Sequence, residues 1–141
     1  ILSKGVLNGW TLDLASARKL GMRPTANASR SVSSNPSPTN WNIELSSTED
    51  YCDNLLSEMR NGLLVTSLIG STINPNTGDY SRGVSGFWVE NGQICYPVSE
   101  ITIAGNLRDM LKNIILGNDA QRHLSYVVPS ILVEEMTLAG S

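Results

Sequence analysis

The sequence predicts an α+β fold, mostly antiparallel β-sheet in a barrel-like or sandwich arrangement, with two to three packed helices. Three observations lead there. Gly62 to Val98 reads as three extended segments joined by two turns, and an apolar stripe at helical spacing lies on each side of it. In addition, 12 glycines and a charged content of only 16% suit a sheet-rich chain with many turns. At 141 residues the chain is expected to form a single domain, 1–141, large enough to bury roughly two thirds of its unfolded surface.

Taken in order, Ile1 to Asp13 reads as a hairpin turning at Lys4-Gly5. Asp13 is placed to cap a short helix from Leu14 to Leu20, with Gly21 at its left-handed end. Met22 to Asn40 has no periodicity and is punctuated by Pro24, Pro36 and Pro38, so a surface-crossing loop is expected. Asn40 to Leu45 follows as a short strand. Ser47 and Asp50 then form a weak capping box ahead of a helix whose stripe is Tyr51, Cys52, Leu55, Leu56 and Met59, closed by Gly62.

In the central stretch, Leu63, Val65, Ile69 and Ile73 fall at odd positions and make one strand face apolar. Asn74 to Asp79 concentrates turn formers, with Pro75 unable to donate to a ladder. Ser85 to Glu90 and Gln93 to Val98 flank Asn91-Gly92, a pair that accepts positive φ in both positions and signals a two-residue hairpin. Ser99 to Ala104 continues as strand. Asn106 is expected to cap a second helix buried through Leu107, Met110, Leu111, Ile114 and Ile115 and ended by Gly117. His123 to Val128 and Ser130 to Ala139 read as closing strands.

Composition narrows the function classes. A net charge of −3 and a pI near 5.0 give no electrostatic footprint for nucleic acid, and no partner of that kind is expected. Charge is uneven, since residues 1–43 carry five cations against one anion, leaving −7 for the remainder. The bland account of that cationic stretch is solvated surface. No apolar run approaches the roughly 20 residues of a bilayer span, so no membrane partner is expected either. Two cysteines, Cys52 and Cys95, make no disulfide scaffold and read as buried free thiols in a reducing compartment.

Chemical motifs are weak. Ser81, Asp79 and His123 supply the members of a hydrolase triad, but there is no G-x-S-x-G elbow, and Asp and Ser are ordinary turn residues. There is no H-E-x-x-H pair or C-x-x-C, and His123, Cys52 and Cys95 are scattered. No P-loop or dinucleotide fingerprint occurs. Residue by residue, the reading identifies no catalytic, cofactor or metal position.

The segment TGDYSRGVSGFWVENGQICYPVSEITIAGNL resembles a characteristic block of the TldD/PmbA family. The likeness extends through Gly5-Val6-Leu7, Ser16 to Gly21, Gly62 to Thr66, Pro129-Ser130 and Ala139-Gly140. TANASR also looks like a family segment, with Ala26 where glycine is usual. The resemblance implies the C-terminal domain of a longer protein, its N-terminal part absent, from a family described both as modulators of DNA gyrase and as peptidases. TldD-type members place a cysteine ligand near the C-terminus, whereas Gly117-Asn118-Asp119-Ala120-Gln121 has none, so the likeness is to the metal-free PmbA (TldE) type. That type implies a cytoplasmic heterodimer with a TldD-like subunit. The metal, zinc, sits in that partner, no cofactor is held by this chain, and unfolded peptide is the substrate. Thr77, Asp79, Ser81 and Asn118 are then candidates for lining the peptide channel, beside the simpler reading in which Thr77, Gly78, Asp79 and Ser81 merely fix a turn. From a different class comes the alternative of a non-enzymatic interaction protein modulating DNA gyrase or a toxin–antitoxin system.

Overall fold

The computed structural model describes residues 1–46 and 52–140, with backbone alone at residues 71 and 72. The chain divides into two compact units, Ile1–Thr48 with Gln121–Val128, and Glu49–Ala120 with Pro129–Ser141. Antiparallel strands dominate, accompanied by three short helices, and none of the described sheets closes into a barrel.

The first unit opens with the expected hairpin. Strands β1 (Leu2–Ser3) and β2 (Val6–Leu7) pair across Lys4 and Gly5, both at positive φ. Helix α1 (Leu14–Leu20) begins at Asp13, whose carboxylate accepts the Ser16 N–H at 2.7 Å, and ends at Gly21 with φ 63°. Its buried Ala17 and neighbouring Leu12 form this unit's small core. Thr25 fastens the segment by accepting the Leu12 N–H at 2.9 Å and donating its own N–H to the Leu12 carbonyl at 3.1 Å. Within the expected loop the chain instead makes a second small hairpin, β3 (Ala28–Ser29) with β4 (Ser37–Pro38). Two-residue strands are too short for hydrophobic alternation to reveal them. Strand β5 (Ile43–Glu44) finds a parallel partner far along the chain in β10 (Tyr126–Val127).

The second unit is built on one sheet. β6 (Gly62–Ile73), β7 (Asp79–Glu90), β8 (Gln93–Asn106) and β12 (Thr137–Ala139) lie in the order β12-β8-β7-β6, every pair antiparallel. The two expected turns are where the sequence puts them. Asn91 and Gly92 take φ 51° and 76°, the primed-turn geometry that matches strand twist. β8 runs through Pro97 as expected and ends two residues further on, at Asn106; the proline is tolerated because β12 pairs only with Thr102 to Ala104 and leaves that side of β8 open. Register shifts on β6, between Val65 and Ser67 and between Ile69 and Thr72, break the odd-position stripe, so Ile69 is 63% exposed. Cys95 is likewise exposed and not buried, and Cys52 is half-buried.

Both helices flanking the sheet differ from expectation. The cap at Ser47, its partner Asp50 and Tyr51 of the stripe lie outside the described residues. The described helix, α2 (Leu55–Met59), starts at Asn54, whose side chain accepts the Ser57 N–H at 3.1 Å. Cys52 is not on it, because its N–H bonds the Leu116 carbonyl at 2.9 Å in a bridge to Gly117. Nor does Gly62 end this helix; Arg60 does, and Gly62 begins β6. Helix α3 (Leu107–Met110) stops after one turn. The rest of its expected stripe is strand β9 (Ile114–Leu116), paired with β11 (Ile131–Val133), since β-branched Ile114 and Ile115 gain a cross-strand partner that a helix would deny them.

The core of this unit comprises Val84, Val89, Ile103, Leu116 and Leu132. The strands approach most closely at Gly86, where an added Cβ would lie 1.9 Å from the Leu64 carbonyl oxygen. The substitution G86A is therefore expected to lower urea stability by about 3 kcal/mol or more, while G9A, whose Cβ meets nothing within 4 Å, stays within about 0.5 kcal/mol.

The Asp13 carboxyl is held below its usual range, first by the Ser16 hydroxyl and then by the Ser16 N–H. Because the folded value is the lower one, the stabilisation is complete above the unfolded value of 3.8 and disappears as pH falls through the folded value. D13N, which keeps a capping oxygen without the titration, is expected to weaken the loss of stability on acidification while leaving neutral-pH helicity intact, as measured by circular dichroism.

Candidate functional site

The β6–β7 turn and the start of β7 carry three of the four sequence candidates, Thr77, Asp79 and Ser81. Asn74 organises it, its side-chain oxygen accepting the Asn76 N–H at 3.0 Å and its carbonyl accepting the Gly78 N–H at 2.8 Å. The Thr77 hydroxyl donates to Asp79 Oδ2 at 2.6 Å, and the Asp79 N–H returns to Thr77 Oγ1 at 3.3 Å. Asn106 Nδ2 closes the knot by donating to the Thr77 carbonyl at 3.0 Å, while its Oδ1 accepts the Arg108 N–H at 3.1 Å. One amide thus caps α3 and holds the turn. Gly78, at φ 85°, is pinned here because an added Cβ would come within 3.0 Å of Asn106 Oδ1.

Thr77 and Asp79 are therefore bonded to one another, and Ser81 follows on β7 between Thr72 of β6 and Ala104 of β8. Asn118 belongs to a different cluster, donating to Asp53. Beside it Asp119 accepts the Ser130 hydroxyl at 2.6 Å and the Ser130 N–H at 2.7 Å, which together hold its carboxyl below the usual range, the hydroxyl first. The sequence reading missed this Asp119–Ser130 clasp and the second role of Asn106. The run Gly117 to Asp119 and Ser130 after Pro129 look like plain turn residues, and nothing local reports that they meet.

The Asp79 carboxylate faces a threonine hydroxyl, and His123 belongs to the other compact unit from Asp79 and Ser81. Among the described residues no group of three or more His, Cys, Asp or Glu side chains is arranged to hold a metal ion. These residues do not fit a metal centre, and no metal-dependent step is assigned to them. No described helix is long and apolar enough to cross a membrane.

The family described as "PmbA/TldA metallopeptidase C-terminal domain" matches residues 1–140. The chain is 46% identical over 141 residues to the metalloprotease PmbA of Escherichia coli O157:H7, covering 99% of this chain and 29% of that protein. It is 44% identical over 142 residues to the metalloprotease PmbA homolog of Haemophilus influenzae, covering 100% of this chain and 30% of that protein. A crystal structure from Bacteroides thetaiotaomicron, described as a modulator of DNA gyrase, superposes with TM-score 0.79 at 31% identity, covering 99% of this chain and 30% of that one. The chain thus spans less than a third of the length of these relatives. With the family matched from end to end and the fold shared, the chain belongs to the PmbA/TldD family, as a C-terminal domain of the PmbA type.

Proposed function

We propose that this domain is part of a cytoplasmic PmbA-type subunit that works with a TldD-like subunit as a peptidase on unfolded peptides, holding peptide while the partner supplies a zinc site. What supports the holding role is the outer edge of β6. This twelve-residue strand has no charged residue and no proline, and no other described strand pairs with its far side. Leu68 and Ile69 stand exposed along it, at 47% and 63%. Such an edge offers main-chain N–H and C=O groups to an incoming strand, and main-chain bonding tolerates varied sequence, as unfolded substrates require. The turn built by Asn74, Thr77, Asp79 and Asn106 fixes how β6 passes into β7.

The second reading is an interaction protein acting on DNA gyrase or a toxin system without proteolysis. Its gyrase half rests on the description given to the Bacteroides relative.

Peptide cleavage by the full-length protein, alone and mixed with the TldD-like protein of the same organism, separates the two. Cleavage confined to the mixture and abolished by a chelator is expected. Cleavage by the protein alone, or binding without cleavage in every mixture, overturns the partner-subunit reading.

Within that assay D79A tests the turn. It removes the bond from Thr77 and is expected to cost about 1 kcal/mol of stability while leaving cleavage per folded molecule unchanged. A cleavage loss without a stability loss would make Asp79 a channel residue.

A further inference from the structure

Arg82 lies in the middle of β7, opposite Ile103 of β8 and one strand in from the free edge. It is half-buried. Its Nε is sealed from solvent and has no hydrogen-bond partner among the described residues. Scarcity of carboxylates is not the cause, because the unit that holds it contains eleven Asp and Glu residues against four Lys and Arg. The one ion pair among the described residues joins Lys112 to Asp109, at 3.4 Å.

The neighbouring backbone is unusual at the same point. Gly83 pairs with Ile69 and Ser81 with Thr72, so residues 70 and 71 of β6 stand opposite Arg82 as an irregularity in the ladder. Gly70 takes φ 72°, with open space where a Cβ would be. Bulges of this kind re-aim side chains and recur beside binding sites. A guanidinium is the side chain shaped for planar, two-pronged capture of a carboxylate, and the Nε edge is one of its two prongs.

From the unmet Nε and the adjoining bulge, we propose that Arg82 is a receptor for a carboxylate carried by the bound peptide, either its C-terminus or an Asp or Glu side chain. This rests on the peptide-holding reading above. On binding, the hydrogen-bonding capacity left unmet in the free protein is satisfied by the ligand.

The test uses full-length protein and labelled unstructured peptides in matched pairs. One pair differs only in a free or amidated C-terminus, the other only in an interior Glu or Gln, and binding is read by fluorescence anisotropy. Wild type is expected to favour the carboxylate member of at least one pair by about tenfold, the size of a charge-assisted hydrogen bond. The responding pair identifies the source of the carboxylate. R82M is expected to erase the preference, R82K to retain part of it, and neither to lower Tm. A wild type that binds every peptide equally, or an R82M that keeps the preference, overturns the carboxylate receptor and leaves peptide holding standing. Failure to bind any peptide overturns both. An R82M that loses Tm and keeps the preference shows Arg82 to be a structural strut.

Discussion

Strand β7 is the constraint on which the larger unit depends. It is paired along nearly its whole length on both sides, to β6 from Tyr80 to Val89 and to β8 from Asp79 to Glu90, and its Val84 and Val89 are the two largest fully buried side chains. The irregularities accumulate on its neighbours: two register shifts lie along β6, and Glu100 of β8 takes φ 57°. A central strand paired on both sides cannot yield without loosening both ladders, so twist and mismatch are pushed outward to strands that each have an open side. Gly86 shows how tight the centre is, since no residue with a Cβ fits beneath the Leu64 carbonyl.

The ends of this sheet are secured by side chains that serve two elements at once. At one end Asn106 joins the turn after β6 to the first turn of α3. At the other, Asn61 Oδ1 accepts the Asn91 N–H at 2.9 Å and the Arg60 carbonyl accepts the Gly92 N–H at 2.7 Å, tying the hairpin to the end of α2. Each bond alone is worth on the order of 1 kcal/mol. Together they decide the register, because a slip of one residue would unmake all of them and turn the apolar face of β7 outward.

What was legible in the sequence follows from range. The Asn91-Gly92 hairpin, the Asp13 cap and the Gly21 terminus are set by residues within a few positions of one another, and all three stand in the structure. Ile114 and Ile115 were misread as helix because their spacing suits a helix locally, while the strand they join, β11, comes only after the whole Gly117 to Ser130 excursion. The β5–β10 pair and the Asp119–Ser130 clasp are invisible for the same reason. Of the candidate site, the turn was legible as a turn, but Asn106 as its brace was not, standing 29 residues from Thr77. The family was more legible than the chemistry, because a likeness spread over the chain needs no knowledge of which residues meet.

The charged groups of this domain divide between those that the fold engages and one that it does not. Three of its carboxylates are at work inside the fold: Asp13 caps a helix, Asp79 closes a turn and Asp119 clasps Ser130. The hydrogen bonds from Ser16 and Ser130 hold the Asp13 and Asp119 carboxyls below their usual range, as anions at neutral pH. Arg82 is the counter-case, a cation in the middle of a sheet with an unmet edge, next to a bulge and one strand from an unpaired rim. Folding alone favours neither the unmet edge nor the uncharged rim, since the first costs hydrogen bonding and the second invites aggregation. Features that a stable fold would remove, kept side by side on the same two strands, are what a surface shaped for extended polypeptide would retain.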